Sequence, residues 1–526
     1  MVLDGAERER GGRGRLMART DESRSRAFFN NTLWSFMLQI VTLVVGFIVP
    51  RTIIACYGSD VNGLVASLTQ IVGYFSLVEA GISAAAVFAL YAPLAEKNTS
   101  QISIIVSAAK RFYYRSGWLF VALVACLAFF YPIVVKCDGM NHVQVAVLVF
   151  SLGAMGVFDF FSLAKYRVLL TASQKNWVIQ GASIVYKILY AAIIVTLAYQ
   201  NVSVEVVYTL AIGAIVVRSI ILSIYTRRKY PFVNYASDTQ GYKFPQRWDA
   251  LVLQILGVVQ AGAPIVIATF LLNDLAMVSV FSVYQLVANG VQNICAVVTT
   301  GTQASFGDAI ARGDKAALKR AYGEMCSLVG ILSSAACVVA LVLIDPFMVL
   351  YTSGISEINY VYPTLGFLLI VNVFLYHLKT PQGLMVVSAG KYRESRPYVI
   401  MQTVVLLVGA TVGGAYFGLN GIAAGACLSN IYAAVYLIFF VPTKITGTRK
   451  RDTLSKMARA VICFVALGMF ISQIPFEASN WGQWAISLVM LGCLCLGGSF
   501  LFYLLVDRRD TLALLARFKR VLSPFS

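Results

Sequence analysis

Long runs without a charged residue are the feature of this sequence that most restricts its fold. An α-helix needs roughly 17–25 apolar residues to cross the hydrocarbon core of a bilayer. Uncharged runs of about that length or longer occupy residues 27–50, 116–135, 139–158, 250–273, 275–307, 325–344, 358–378, 397–443, 460–476 and 478–506. Segments 63–91, 143–164, 177–199 and 204–226 are also long enough, although each contains isolated charges. The apolar stretches are continuous rather than alternating, which argues against a transmembrane β-barrel.

The run 397–443 is long enough for two helices. Gly413, Gly414, Gly418, Asn420 and Gly421 interrupt its middle, and such a cluster of turn-forming residues predicts a hairpin. The sequence therefore predicts an all-α integral membrane protein with fourteen transmembrane helices.

The distribution of basic residues predicts the orientation of the chain. The net charge of +18 would suggest nucleic-acid binding in a soluble protein, but only 13% of the residues are charged, against about 25% in a soluble domain. With fourteen spans, 38 of the 42 Lys and Arg residues fall in the two tails and in loops on one side. Two lie on the other side and two within spans. The positive-inside rule then places both termini in the cytosol of a cell-membrane protein, with no nucleic-acid partner.

A weak internal repeat predicts two lobes. At an offset of 215 residues, Leu38–Ile40 matches Leu253–Ile255, and Gln70 matches Gln285. Both segments run outward from the cytosol, so we expect six-helix lobes related by a pseudo-two-fold axis along the membrane normal. The predicted parts are a basic tail at 1–27, an N-lobe at 28–226, a cytosolic linker at 227–248, a C-lobe at 249–443, and two further helices with an amphipathic C-terminus at 444–526.

Basic side chains at membrane depth are the first candidates for function. Inserting an ionisable residue into the hydrocarbon core costs about 2.5–3.5 kcal/mol on insertion scales, so such a residue is a candidate for function by default. Lys187 lies near the middle of the fifth predicted helix, and Arg218 lies toward the cytosolic end of the sixth. Arg51 and Lys379 lie near the ends of the first and tenth helices. Because Arg and Lys pair directly with phosphate, we expect a cationic cavity for an anionic group. For the three residues nearest the interfaces, the alternative is a role as membrane anchors.

Two carboxylates also fall inside predicted spans. Glu79 lies near the middle of the second helix, and Asp159 lies toward the cytosolic end of the fourth. We interpret them first as counter-ions of the basic residues, which includes a structural pair with Lys187; coupling to H⁺ or Na⁺ is the alternative. Pro50 and Gly81 are candidate bending points.

Uncharged polar side chains recur within the apolar spans. The candidates are Gln39, Gln70, Gln254, Gln285, Asn289 and Gln292. The last three are spaced four and three residues apart, so they share one helix face. Two interpretations remain open for these groups: a cavity suited to sugar hydroxyls, or hydrogen bonds between helices.

Three segments resemble flippases of the Wzx type, within the multidrug/oligosaccharidyl-lipid/polysaccharide (MOP) exporter superfamily. They are FIVPRTIIACYGSDVNGLVASLTQIVGYFSLVEAGISAAAV from Phe47, SLAKYRVLLTASQKNWVIQ from Ser162 and KTPQGLMVVSAGKYRESRPY from Lys379. The resemblance implies a transporter that moves a polyprenyl-pyrophosphate-linked oligosaccharide between leaflets by alternating access. It also implies possible glycosyltransferase or polymerase partners from the same pathway, besides membrane lipids.

Three alternatives remain open. The first two are a cation-coupled multidrug antiporter of the same superfamily and a flippase for lipid II. The third is a non-transporting scaffold of a polysaccharide assembly complex. The predicted first and seventh helices lack the acidic residue that drug exporters of this superfamily tend to carry, which favours an anionic cargo. The sequence has no Walker A pattern and no CxxC pair, and it has only two histidines, so we predict no enzyme activity, no cofactor and no metal site.

Overall fold

The computed structural model describes the backbone of residues 3–79, 82–239, 241, 242, 244, 248–474 and 478–522. Side chains are described for 30–79, 82–239, 241, 242, 244, 251–296, 306, 307, 309, 310, 312–474 and 478–516. Gly81 and the side chains of the basic tail 1–27 lie outside the described residues.

All the regular secondary structure among the described residues is helical. The helices are α1 (Leu3–Tyr57), α2 (Ser59–Phe75), α3 (Ile82–Ala95), α4 (Thr99–Val134), α5 (His142–Phe158), α6 (Ala164–Ala172), α7 (Asn176–Tyr199), α8 (Val204–Lys229), α9 (Trp248–Leu272), α10 (Leu275–Ala311), α11 (Lys315–Tyr351), α12 (Pro363–Ser388), α13 (Tyr392–Val441), α14 (Lys450–Ile471), α15 (Trp481–Val506) and α16 (Arg508–Leu522). A 3₁₀ turn, Ser76–Glu79, follows α2, and π-helical segments follow α5 (Asp159–Leu163) and α13 (Pro442–Thr446).

Thirteen helical segments among the described residues are long and apolar enough to cross a membrane. One of them, Tyr392–Thr446, contains two helices, because the backbone leaves helical geometry at Gly418. Counting these two helices separately gives fourteen candidate membrane spans among the described residues. The predicted fold class, an all-α multi-pass membrane protein, is therefore confirmed.

Glycines build the hairpin inside α13. Gly418 has a φ of 58° and a ψ of −138°, a backbone conformation that glycine adopts without a steric penalty. A Cβ atom on Gly421 would lie 1.8 Å from the carbonyl oxygen of Gly413, and one on Gly409 would lie 3.3 Å from the Cα of Gly425. The two arms approach backbone to backbone, as small residues allow in membrane helix pairs. This hairpin agrees with the one predicted from the sequence.

The chain divides into two compact units. The first unit comprises Met1–Thr52 and Val72–Trp248, and the second comprises Ile53–Ile71 and Asp249–Ser526. In the first unit, α7 packs against α8, and α5 packs against α4 and α8. In the second unit, α11 packs against α10, α12, α14, α15 and α16. Residues 53–71 belong to the predicted N-lobe by position in the sequence, but they group with the second unit.

The linker 227–248 belongs to the first unit, and its first part packs against α4. Ser107 Oγ donates a hydrogen bond to the carbonyl of Asn234, and the Asn234 amide donates to Ser103 Oγ. Tyr230 is buried as well. The sequence predicts only a cytosolic linker here, and the structure shows that side chains of α4 hold its first part.

Ion pairs join α14 to the C-terminal helix α16 and to Asp507, the residue that precedes it. Lys456 of α14 pairs with Asp510 and lies 3.6 Å from Asp507. Arg459 Nη1 lies 3.0 Å from Asp507 Oδ2. A Cβ atom on Gly323 of α11 would collide with the Asp510 carboxylate, so α16 approaches α11 closely. The segment for which the sequence predicts an amphipathic C-terminus contains α16, and the first turn of this helix contacts protein through Asp510.

Candidate functional site

A group of ionisable side chains meets inside the first unit. Arg167 Nη2 lies 3.0 Å from Glu79 Oε1, and Arg167 Nη1 lies 2.9 Å from Asp159 Oδ2. Arg218 Nη1 lies 3.8 Å from the other oxygen of Asp159. Lys187 follows Tyr186 on α7, and the Arg218 guanidinium lies 5.8 Å from the Tyr186 ring centroid. We call Glu79, Asp159, Arg167, Lys187 and Arg218 the charge cluster.

A continuous helical segment carries two members of the cluster. α5 runs into the π-helical segment Asp159–Leu163 and continues as α6, so that the apolar helix extends from His142 to Ala172. Asp159 is the first residue of the π segment, and Arg167 lies eight residues further along. Single π turns within α-helices are frequent at functional sites. Glu79 ends the 3₁₀ turn after α2, which directs its carboxylate to the same place.

Arg167 pairs with both carboxylates of the cluster, through both oxygens of Glu79 and one oxygen of Asp159. Its guanidinium donates to both Glu79 oxygens, at 3.0 and 3.1 Å, and to Asp159 at 2.9 Å. The side-chain exposures of these three residues are between 23% and 27%. Charge-assisted guanidinium–carboxylate hydrogen bonds of this length are among the stronger ones in proteins. Glu79 and Asp159 are therefore already paired with a cation of the protein.

The cluster carries an excess of one positive charge, because three cations face two carboxylates. Within the described residues, Lys187 makes no ion pair. The Nε atom of Arg218 is buried and has no hydrogen-bond partner there. A buried donor without a partner is costly, so both groups can gain free energy by binding an acceptor. Chemically, the arrangement suits an anionic group that contacts Lys187 and Arg218.

Aromatic side chains lie beside this cationic pair. The Arg218 guanidinium lies 5.8 Å from the ring centroid of Tyr186, within the range of a cation–π contact. Tyr186 in turn lies 5.9 Å from Tyr190, and Tyr190 lies 6.4 Å from Tyr208. The row of rings holds the guanidinium against α7.

Two predicted cations lie on other elements. Arg51 lies near the end of α1, half-buried, in the first unit. Lys379 belongs to α12 in the second unit, where its ammonium lies 5.3 Å from the ring centroid of Tyr376. The structure therefore brings Lys187 and Arg218 together with Glu79 and Asp159, and it assigns Lys379 to the other unit.

The predicted polar residues are divided between the units. Gln39 is on α1 of the first unit, whereas Gln70, Gln254, Gln285, Asn289 and Gln292 lie in the second. Gln285 Nε2 donates to Asn289 Oδ1 at 3.0 Å, so these two amides partly satisfy each other along one helix face. Gln254 is exposed, whereas Gln39, Gln70 and Gln292 are partly buried.

Arg167 is the member of the cluster that the sequence interpretation missed. The uncharged-run criterion ends the fourth span at residue 164 and places Arg167 in a cytosolic loop. A signal was present, since Val168–Leu170 continue the apolar pattern directly after Arg167. The pairing of Lys187 with Glu79 or Asp159, left open above, does not occur among the described residues, because Arg167 takes that position.

The sequence matches no protein-family model and no curated protein sequence. The structure is similar to the lipid II flippase MurJ in an inward closed conformation, with a TM-score of 0.67 and 12% identity over 90% of this chain and 98% of that chain. It is similar to a multidrug resistance MATE family transporter of the MOP superfamily in an inward-facing conformation, with a TM-score of 0.63 and 15% identity over 78% of this chain and 95% of that chain.

A third similar structure is that of a MOP superfamily transporter from Pyrococcus furiosus Vc1. The reverse polarity of the binding pocket of that protein suggests a different function for it. Its TM-score is 0.52, with 14% identity over 82% of this chain and 96% of that chain. These likenesses span almost the whole length of the three proteins. This chain therefore has the fold of the MOP superfamily transporters.

Proposed function

We propose that this chain is a membrane transporter that flips a polyprenyl-pyrophosphate-linked oligosaccharide from the cytosolic to the outer leaflet for assembly of a cell-surface polysaccharide. The observation that carries the proposal is the positive excess of the charge cluster, where Lys187 and Arg218 retain free donors. A pyrophosphate needs such donors to leave water, because its charges cannot enter hydrocarbon unpaired. Transport by alternating access, with both termini in the cytosol, completes the proposal.

Arg167 gives the cluster its selectivity in this scheme. Two unpaired carboxylates beside Lys187 and Arg218 would repel a pyrophosphate and attract cations. Because Arg167 binds both Glu79 and Asp159, the remaining field at Lys187 and Arg218 is positive. This arrangement favours an anionic cargo over an organic cation, which would need a free carboxylate.

Lipid II is the second candidate cargo. It carries the same polyprenyl-pyrophosphate group, so the cluster serves it by the same chemistry, and the similarity to MurJ is the observation that favours it. The glycan is the part that distinguishes the two lipids. A transport assay in which the two lipids compete therefore identifies the substrate.

The test is a flipping assay with the purified chain in lipid vesicles. A fluorescently labelled polyprenyl-pyrophosphate oligosaccharide is supplied, and loss of protection from a membrane-impermeant quencher gives the transport rate. We expect Lys187→Gln to lower the rate about 10- to 100-fold, since a hydrogen bond to a charged group contributes about 1.5–3 kcal/mol. Lys187→Arg retains the charge and should retain most of the rate. Arg115→Gln, on an exposed position of α4, is the matched control.

Three results would contradict the proposal. An unchanged rate in both Lys187→Gln and Arg218→Gln would remove the cluster from transport. Transport of organic cations that depends on Glu79 would favour the drug antiporter. The absence of flipping of any polyprenyl-pyrophosphate lipid by the folded chain would favour the scaffold. Faster flipping of lipid II than of polyprenyl-pyrophosphate lipids with other glycans would identify lipid II as the substrate. The role of the cluster would stay the same.

A further inference from the structure

A groove lies along the end of α8, where the helix leaves its apolar stretch. Its volume is about 440 Å³, within the range of about 300–1,000 Å³ typical of small-molecule sites. Its lining consists of Ile220, Ile221, Ile224, Tyr225, Arg228 and Lys229. The isoleucines come first along the helix and the basic residues follow one turn later, so the groove is apolar at one end and cationic at the other.

A third cation stands beside the basic end of this groove. Lys175, in the turn between α6 and α7, lies 5.9 Å from the ring centroid of Tyr225 and 5.5 Å from that of Tyr230. Burial and the charge of Lys229 lower the pKa of Lys175. Within the described residues, Lys175, Arg228 and Lys229 have no carboxylate partner. The basic end is therefore a place where positive charges repel one another until an anion enters.

Aromatic side chains fix the depth of the groove in the membrane. The Trp177 ring lies 5.9 Å from that of Tyr225 and 6.4 Å from that of Trp34. Asn31 joins α1 to the same turn, because its amide donates to the carbonyl of Gln174 and accepts from the amide of Trp177. Trp and Tyr gather at the level of lipid headgroups. The cationic end then lies at headgroup level, and the isoleucines face the acyl region.

We propose that this groove is a binding site for an anionic phospholipid of the membrane. The lipid phosphate contacts Arg228, Lys229 and Lys175, and an acyl chain lies against Ile220 and Ile224. The groove complements a phospholipid in charge and in polarity. Three cations without a carboxylate partner contact the phosphate, and the apolar isoleucines contact the acyl chain. None of these residues belongs to the charge cluster, so the site is separate from that of the proposed cargo.

The experiment measures lipid binding to the purified full-length chain by native mass spectrometry. Phosphatidylglycerol is compared with phosphatidylcholine of the same acyl chains. The paired exchange Arg228→Gln and Lys229→Gln should weaken phosphatidylglycerol binding about 30-fold and leave phosphatidylcholine unchanged, because each basic residue near an anionic surface contributes about 1 kcal/mol. The control pair Arg111→Gln and Arg115→Gln removes the same charge from exposed positions of α4.

Two further variants separate the parts of the site. Ile224→Trp fills the groove without changing its charge and should lower phosphatidylglycerol binding at least 10-fold. The paired exchange Arg228→Lys and Lys229→Arg keeps both charges and should keep the affinity, which guards against a folding defect.

Three results would overturn the proposal. The first is an equal loss of binding in the control pair, since it would reveal general attraction to a basic surface. The second is unchanged binding in Ile224→Trp. The third is displacement of phosphatidylglycerol by inorganic phosphate alone, because this would make the groove a free-phosphate site.

Discussion

Replacing Arg167 tests whether the charge cluster is held together by its ion pairs. The guanidinium contacts carboxylate oxygens at 3.0 and 2.9 Å, and at an effective dielectric constant near 20 each contact corresponds to an attraction of about 5–6 kcal/mol before desolvation. Desolvation offsets much of that attraction. Removing one partner of a buried pair typically costs about 3–5 kcal/mol, because an uncompensated charge remains. Glu79 and Asp159 keep about a quarter of their exposure, so we expect Arg167→Met to cost about 3 kcal/mol.

The assay is equilibrium unfolding of the purified chain in mixed micelles with an increasing fraction of denaturing detergent. The decisive comparison is the double variant Arg167→Met and Glu79→Gln, which removes the guanidinium together with the carboxylate that only Arg167 pairs, while Asp159 keeps its contact with Arg218. It should recover at least about 2 kcal/mol of the loss, since a buried ion pair can be replaced by neutral groups at little cost. A double variant as unstable as the single one would show that Arg167 acts through packing. A loss below about 0.5 kcal/mol in Arg167→Met, within the range of ordinary surface substitutions, would refute the reasoning.

Two further predictions concern the second unit. Gly421→Ala should lower the free energy of unfolding by about 1–3 kcal/mol, because the new Cβ would collide with the Gly413 carbonyl. The yield of folded protein should fall as well. Gly213→Ala, where a Cβ meets nothing within 4 Å, is the control and should be neutral; equal loss in both would contradict the account of the hairpin. Lys456→Gln should speed proteolytic removal of α16, because Lys456 pairs with Asp510. An unchanged cleavage rate at low ionic strength would show that apolar contacts alone hold this helix.

The sequence predicted the parts of the fold that depend on composition and local turn chemistry. Uncharged runs locate helices because lipid leaves no partner for an exposed backbone or an unpaired charge. The glycines around Gly418 predicted a hairpin because their conformational freedom is a local property. Neither inference needed knowledge of which helices touch.

Features that arise from tertiary contacts could not be predicted in the same way. Arg167 seemed to belong to a loop, because a guanidinium ends an uncharged run, and only its two carboxylate partners make it compatible with a spanning helix. The sequence predicts a linker after Tyr230 but no contact for it, whereas Ser103 and Ser107 of α4 form hydrogen bonds with its backbone at Asn234. In each case a partner lies more than 80 residues away, a separation that periodicity does not reveal.

Because of the π-helical segment Asp159–Leu163, the geometry of the charge cluster depends on the number of residues in this helix as well as on their chemistry. A π turn accommodates one residue more than an α turn, and each residue of a helix rotates the following side chains by about 100°. Loss of a single uncharged residue between Asp159 and Arg167 would restore a regular helix. The Arg167 guanidinium would then turn away from the Asp159 carboxylate, although every charged residue would still be present. Two proteins of this fold can therefore share all the charged residues of the cluster and still differ in whether their carboxylates are free or occupied.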